Sequence, residues 1–155
     1  EKIEIAVVTK CKYAKKIAEK LSIQIIEEPS NLGLSDAILH SAITAKAWGF
    51  DKLCVIPADL AAPLASDLIA MLNSKAAVTI CPSADLGTNA LVVSPPDAIP
   101  FRYGSRSSLS HLHEANEKGI RARVMKLDSL SFDIDTNKCL ARAKRVVPEI
   151  AGVCV

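Results

Sequence analysis

Acidic residues that could bind a metal ion stand at two distant points of this chain. Asp59 follows the strand-like run 52–56, while Asp133 and Asp135 follow the strand-like run 130–132. Each run is typical of a buried strand, and open α/β sheets bind their ligands beyond the carboxyl ends of strands. Carboxylate oxygens suit Mg²⁺, which is often shared with phosphates. The pattern predicts a magnesium and nucleotide site, unless Asp59 forms a turn and Asp135 caps a helix.

Two segments of small polar residues lie between these aspartates. Gly87-Thr88-Asn89 offers donors in a turn, and Gly104 to Ser107 precedes a predicted helix. Main-chain N–H groups at the start of that helix, together with the Ser107 hydroxyl, favour binding of a phosphate or carboxylate. His111 lies one turn further and could face the same pocket. The alternatives are a plain turn at the first segment and N-capping by Ser105 or Ser107 at the second.

Strand-like and helix-like segments alternate along almost the whole chain. We expect strands at 3–9, 23–26, 52–56, 76–80, 91–94, 121–125 and 130–134, and helices at 11–21, 36–48, 66–73, 107–118 and 136–146. Ser35, Ser66 and Thr136 are predicted N-caps. After Lys52, the run 52–56 is continuously apolar, as in strands buried on both faces of a parallel sheet. This alternation predicts a three-layer α/β/α domain with a mostly parallel, mixed sheet.

The composition excludes several classes of partner. At 155 residues the chain is long enough for one domain with its own core. Aromatic residues make up only 4% of it, too few for a base-stacking surface, so we expect no nucleic-acid partner. No apolar run approaches the ~20 residues that a membrane span needs. The basic residues between Lys10 and Lys16 form either a solvated helix face or a basic rim near a phosphate site.

The cysteines indicate a reducing compartment. Five are present, without a C-x-x-C pair, so neither a disulfide framework nor a zinc site is predicted. The chain opens on a strand-like segment rather than a signal peptide. We therefore expect free thiols and a cytoplasmic protein.

Four motifs, taken in order, resemble the phospholactate guanylyltransferase family. They are Pro57-Ala58-Asp59-Leu60, Gly87-Thr88-Asn89-Ala90-Leu91, the segment from Pro95 to Gly104 with Ser107 and His111 beyond it, and Asp133-Ile134-Asp135-Thr136. The resemblance implies a GT-A-like nucleotidyltransferase fold and an enzyme that transfers GMP from GTP to a phosphorylated three-carbon acid. That acid would be 2-phospho-L-lactate, phosphoenolpyruvate or 3-phosphoglycerate. Pyrophosphate would leave, and the product would be a precursor of a deazaflavin coenzyme.

The resemblance also implies residue roles. The carboxylates that would hold Mg²⁺ are Asp59, Asp133 and Asp135, of which Asp59 and Asp135 would be catalytic. The residues that would bind the phosphorylated acid are Thr88, Asn89, Gly104, Ser107 and His111. The segment that would contact the nucleotide is Gly33-Leu34-Ser35, where Ser35 departs from the usual Gly-Leu-Asn.

The N-terminus departs from the family pattern. Family members begin with a further strand and a Lys/Arg-bearing loop that holds the triphosphate. This chain opens at what corresponds to the second strand, so we expect residues 1–155 to form a single nucleotidyltransferase domain without that segment. Two alternatives stay open: another nucleotidyltransferase of the same fold, such as a molybdopterin guanylyl- or cytidylyltransferase, or a non-catalytic nucleotide-sensing domain. The apolar segment 146–155 could join a homodimer.

Overall fold

The computed structural model describes residues 3–29, 33–134 and 136–146. Asp135 and the predicted dimer segment beyond residue 146 lie outside these ranges. The described elements, in chain order, are β1 (Ala6–Thr9), α1 (Lys12–Lys20), β2 (Gln24–Glu27), α2 (Leu34–Ala47), β3 (Leu53–Val55), α3 (Ala65–Leu72), β4 (Val78–Pro82), β5 (Thr88–Val93), α4 (Ser107–Glu117), β6 (Ala122–Val124), a 3₁₀ turn (Asp128–Leu130) and α5 (Asn137–Val146). The α/β class is confirmed.

The strands form two sheets of mixed direction. β1 and β2 pair in parallel, and a four-stranded sheet has the order β3-β5-β4-β6. β5 runs antiparallel to both of its neighbours, whereas β6 is parallel to β4. The four-stranded sheet is therefore mixed, as expected, but it is not mostly parallel. The antiparallel pairing of β4 with β5 follows from the length of the loop between them. Only five residues join the two strands, and a parallel crossover needs a dozen or more.

The four-stranded sheet carries a hydrophobic core on each face. Alternate residues of β4 and β5 point to opposite sides, so Ile80 and Leu91 pack with α2 and α4, while Cys81 and Val92 pack with α3 and the 3₁₀ turn. Ala115 of α4 is also fully buried. Helices therefore cover both faces, which confirms the three-layer arrangement.

The expected burial of the strand at 52–56 and the expected strand at 130–134 were both wrong. β3 is an edge strand with partly buried residues, because it pairs with β5 alone among the described strands and a cleft opens on its other side. The segment 130–134 does not form a strand of a sheet. Its first residue ends the 3₁₀ turn, and Asp133 makes an isolated bridge to Leu60 in the loop after β3.

The N-cap predictions had mixed outcomes. Helix α2 begins at Leu34 after an extended Gly33, and α3 begins at Ala65, so neither Ser35 nor Ser66 is an N-cap. Each serine lies inside the first turn of its helix instead. Thr136 is confirmed as the cap of α5, because its Oγ1 accepts the main-chain N–H of Cys139 at 3.2 Å.

A cleft of about 1270 Å³ lies between the two-stranded sheet and β3. It is lined by β1 and by β3, and α2 contacts both strands. The loop that follows β3 also reaches the cleft. Over the ranges that the structure describes, no helix combines the length and apolar character that a bilayer crossing requires.

Candidate functional site

The two acidic segments meet at one place in the fold. Leu60 and Asp133 form an antiparallel bridge, and the N–H of Ile134 donates to the carbonyl of Asp59 at 2.9 Å. These main-chain contacts join residues more than 70 positions apart in sequence. The main chains of the two segments therefore meet at Asp59 and Asp133, and Asp135 lies outside the described residues.

The two described aspartates differ in exposure. Asp133 is half-buried and is the bridge partner of buried Leu60. Asp59 is exposed and lines the cleft together with Leu34. Within the described ranges, no three His, Cys, Asp or Glu side chains gather in a metal-binding group. The oxygen donors present still match the ligand chemistry that Mg²⁺ prefers.

A short turn between β4 and β5 builds the second cluster. The register of the two strands shifts between Cys81 and Pro82, whose partners are Ala90 and Thr88, so Asn89 is an extra residue in β5. Such a bulge re-aims the side chains beside it and is common next to active sites. Both Thr88 and Asn89 are buried.

Helix α4 holds this turn in place. The N–H and the hydroxyl of Ser108 both donate to the carbonyl of Leu86, at 3.0 and 2.6 Å. A Cβ on Gly87 would lie 2.6 Å from Ser83 Oγ, so no larger residue fits there without a shift. Sequence analysis missed Ser108, although its place beside Ser107 at the helix start was an available signal.

Three side chains behind the turn form a hydrogen-bond chain. Ser107 Oγ donates to Thr88 Oγ1 at 2.9 Å, and Thr88 Oγ1 lies 3.1 Å from His111 Nδ1. The main-chain N–H of Arg102 donates to His111 Nε2 at 2.9 Å. The cluster therefore joins β5, α4 and the loop before α4.

His111 lies deeper than the sequence indicated. Its side chain has 0% exposure, so it contacts Thr88 from behind instead of facing an open pocket. Burial lowers the pKa of the imidazole to about 4, and the nearby Glu114 carboxylate opposes this only in part. The imidazole is consequently neutral at neutral pH.

The start of α4 differs from the prediction. Arg106 is the N-cap in a left-handed conformation with φ of 53°, and no side chain caps the helix, so Ser105 and Ser107 are not caps. The N–H groups of Ser107 and Ser108 already donate to carbonyls of Gly104 and Leu86. These two N–H groups are thus not available to an anion, and side chains must supply the donors instead.

The loop before α4 is held by a second helix. Ser35 Oγ accepts the N–H of Tyr103 at 3.0 Å, which links α2 to this loop. Gly104 has φ of +134°, a conformation that side chains disfavour, and no atom lies within 4 Å of a Cβ placed there. Glycine at 104 is therefore required by the backbone conformation, because no atom of the described residues crowds the position.

The predicted residues fall into two groups. Leu34 and Asp59 line the cleft, and the described lining of that cleft includes none of the acid-site residues. Those residues surround the start of α4 instead. Asn89 Nδ2 is buried and has no hydrogen-bond partner among the described residues, although buried donors are normally paired. A bound ligand is one way to satisfy it.

Comparisons with known proteins found a matching family model and several similar relatives. The family model described as "Guanylyl transferase CofC like" matches residues 1–143. A 3-phospho-D-glycerate guanylyltransferase of Colwellia psychrerythraea is 38% identical over 85% of this chain and 64% of that relative. A phosphoenolpyruvate guanylyltransferase of Rubrobacter xylanophilus is 36% identical over 71% of this chain and 56% of its own length.

A third relative carries a different substrate in its name. It is a 2-phospho-L-lactate guanylyltransferase of Methanothermobacter thermautotrophicus, 34% identical over 77% of this chain and 53% of that relative. The matched part of the chain thus spans between about half and two thirds of these three relatives' length.

Solved structures share the fold at low identity. A protein of Desulfovibrio desulfuricans described as a nucleotide-diphospho-sugar transferase has a TM-score of 0.69 at 14% identity, over 86% of this chain and 62% of that one. A cytidylyltransferase of Leptospira borgpetersenii has a TM-score of 0.58 at 12% identity, over 97% and 79%. The fold is that of nucleotidyltransferases, and the extent of the family match shows that this chain belongs to the CofC-like guanylyltransferases.

Proposed function

We propose that this protein transfers GMP from GTP to a phosphorylated three-carbon acid and releases pyrophosphate, as a step in the biosynthesis of a deazaflavin coenzyme. The acid is 3-phosphoglycerate, phosphoenolpyruvate or 2-phospho-L-lactate, the three acids in the names of its relatives. In the reaction, a phosphate oxygen of the acid attacks the α-phosphorus of GTP. The bond from that phosphorus to the oxygen bridging to the β-phosphate breaks, and pyrophosphate leaves.

The cluster around Thr88 carries this proposal. Thr88 and Asn89 are placed by the bulge in β5, and the loop with Gly104 closes toward the start of α4. The Asn89 amide is a buried donor without a described partner. A phosphate or carboxylate would accept from such donors, and the positive end of the α4 dipole favours the negative charge. The cluster thus offers a small polar binding site for an anionic acid.

The nucleotide belongs in the cleft. Leu34 is 61% exposed at the start of α2 and lines the cleft opposite the loop that carries Asp59. Small-molecule sites measure about 300–1,000 Å³, so a cleft of about 1270 Å³ has room for a nucleoside triphosphate. Ser35 connects the two sites, because its hydroxyl holds the loop that leads to Gly104.

Asp59 would hold Mg²⁺ together with Asp133 or Asp135. When bound, the ion neutralises charge on the triphosphate and on the leaving pyrophosphate. The protein's own contribution is position, since the bridge to Asp133 fixes the main chain at Asp59 and leaves its carboxylate exposed in the cleft. Holding two anions in line converts their encounter into a unimolecular step.

The proposal is tested by assaying pyrophosphate release with GTP and each of the three acids. We expect turnover with at least one acid, and stimulation by added Mg²⁺. CTP in place of GTP should support little turnover. Equal use of CTP would favour a cytidylyltransferase of the same fold, and binding of GTP without turnover of any acid would favour a nucleotide-sensing domain.

A further inference from the structure

The imidazole of His111 makes one hydrogen bond on each side. Its Nε2 accepts the N–H of Arg102 at 2.9 Å, and its Nδ1 lies 3.1 Å from Thr88 Oγ1. A main-chain N–H can only donate, so Nε2 must be the unprotonated nitrogen. A neutral imidazole carries its one proton on the other nitrogen, which here is Nδ1. The tautomer is therefore fixed by the fold.

This tautomer dictates the direction of the hydrogen bond between His111 and Thr88. Nδ1–H donates to Thr88 Oγ1, and Ser107 Oγ donates to the same oxygen at 2.9 Å. A hydroxyl has two lone pairs and one proton. With both lone pairs occupied, the Thr88 hydroxyl can act only as a donor, and its proton must point away from His111 and Ser107.

We infer that His111 is a positioning residue for the acid site, acting through two neighbours that it holds at once. Nδ1–H orients Thr88 so that its hydroxyl proton is presented to an anion, and Nε2 anchors Arg102, two residues before Gly104. The inference rests on the proposed function, which supplies the anionic acid. His111 itself is fully buried and does not contact the acid.

The arrangement also gives selectivity by charge. A hydroxyl whose lone pairs are both occupied cannot accept from a ligand, so it favours a deprotonated phosphate or carboxylate over a ligand with a hydroxyl donor there. The ring of Tyr103 packs edge-on against the imidazole, with 5.0 Å between the ring centroids.

The first test is the tautomer itself. Long-range ¹⁵N–¹H NMR spectra of the protein with labelled histidine should show His111 as neutral Nδ1–H at pH 7. Resonances of His111 should move when the acid is added and stay in place when GTP alone is added. An Nε2–H pattern, or His111 resonances that do not move when the acid is added, would overturn the inference. Neither result depends on turnover.

The second test separates the two hydrogen bonds. His111→Asn places an amide donor near the Nδ1 position, whereas His111→Gln reaches the Nε2 position and loses the donor to Thr88. Dissociation constants are measured by calorimetry with the tightest binder of the three acids, and with GTP. One hydrogen bond is equivalent to a change of roughly tenfold, so we expect His111→Gln to weaken acid binding by about that factor and GTP binding by less than about twofold.

A double-mutant cycle tests whether His111 acts through Thr88. In a Thr88→Val background, His111→Gln should weaken acid binding by less than about threefold, because the hydroxyl that it orients is gone. The same factor in both backgrounds would overturn the inference. His113→Gln, on an exposed residue of the same helix, is the matched control and should leave both constants unchanged. If the His111 variants fail to fold, the NMR titration decides alone.

Failure of the wild-type protein to bind any of the three acids is a separate outcome. If none of the three acids binds the wild type, the proposed function fails, and with it the assigned purpose of the tautomer. If an acid binds and turns over but the cycle shows no coupling, the proposed function stands and only the role of His111 is lost.

Discussion

Asp59 combines an exposed carboxylate with a fixed main chain. Its carbonyl accepts the N–H of Ile134 at 2.9 Å, while its side chain lines the cleft. We expect Asp59→Asn to lower kcat by several powers of ten, because the triphosphate loses charge neutralisation. The melting temperature should stay close to that of the wild type. Asp128→Asn, on an exposed aspartate of the 3₁₀ turn, should leave kcat unchanged. Turnover of Asp59→Asn close to that of the wild type at limiting Mg²⁺ would contradict the assignment of Asp59 as a metal ligand.

Ser107 and Gly104 contribute to the acid site in different ways. Ser107→Ala removes one of two donors to Thr88, so the KM for the acid should rise several-fold and more than the KM for GTP. Gly104→Val should raise it further, because φ of +134° is strained for any residue with a Cβ and a branched side chain would fill the open space beside it. Steady-state kinetics with each substrate varied in turn distinguish these effects. A rise in the KM for GTP alone would show that the acid binds elsewhere.

The buried imidazole makes stability depend on pH. The pKa of His111 falls from 6.5 in the unfolded chain to about 4 in the folded protein, because burial disfavours the charged ring. Between these values the unfolded chain binds a proton that the folded protein does not, so stability falls as the pH drops. The full effect is on the order of 3 kcal/mol. Denaturant unfolding at pH 7 and 4.5 should show a smaller loss in His111→Asn than in the wild type, and equal losses would contradict this account.

At the scale of elements, the turn between β4 and β5 and the start of α4 form one unit. Gly87→Ala should destabilise the protein, because the new Cβ would lie 2.6 Å from Ser83 Oγ and the turn must shift to admit it. Overpacking of this kind typically costs about 1–3 kcal/mol. Since Thr88 is the next residue, the KM for the acid should rise as well.

Gly33→Ala is the matched control for the stability effect. Among the described residues, no atom lies within 4 Å of a Cβ at Gly33, and its φ of −76° suits alanine. Such replacements usually stabilise a protein by about 0.4–1 kcal/mol through the unfolded chain. The two variants should therefore change the free energy of unfolding, measured in urea, in opposite directions. A destabilisation of the same size in both would show that the crowding at Gly87 is not the cause.

At the scale of the whole molecule, the thiols report on packing. Cys11, Cys54 and Cys81 are free thiols that differ in environment: Cys11 is exposed, Cys81 is buried, and burial raises the pKa of Cys54 to about 11. Main-chain N–H groups of Tyr13 and Ala14 lower the pKa of Cys11. A thiol reagent should therefore modify Cys11 first in the native protein, and five thiols in denaturant. A denatured count of three or one would reveal disulfides.

Much of the architecture followed from local patterns. Apolar periodicity and β-branched runs predicted most helices and strands to within a few residues, since those patterns reflect which faces must be buried. The ordered motifs led to the family and to the residues of both candidate clusters. The strand at 130–134 and the caps at Ser35 and Ser66 were wrong, because a strand needs a partner and a hydroxyl bonds to whichever group lies nearest in space.

The sequence by itself determined the α/β class, the residue types of the site and the family to which the chain belongs. Only the tertiary structure decided that β5 runs antiparallel, that Asp59 and Asp133 meet through one bridge, and that His111 is buried behind Thr88. The physical reason is the separation along the chain over which each effect acts. Propensity and periodicity act between neighbours, whereas pairing, burial and the choice of a histidine tautomer depend on groups brought together from distant parts of the chain.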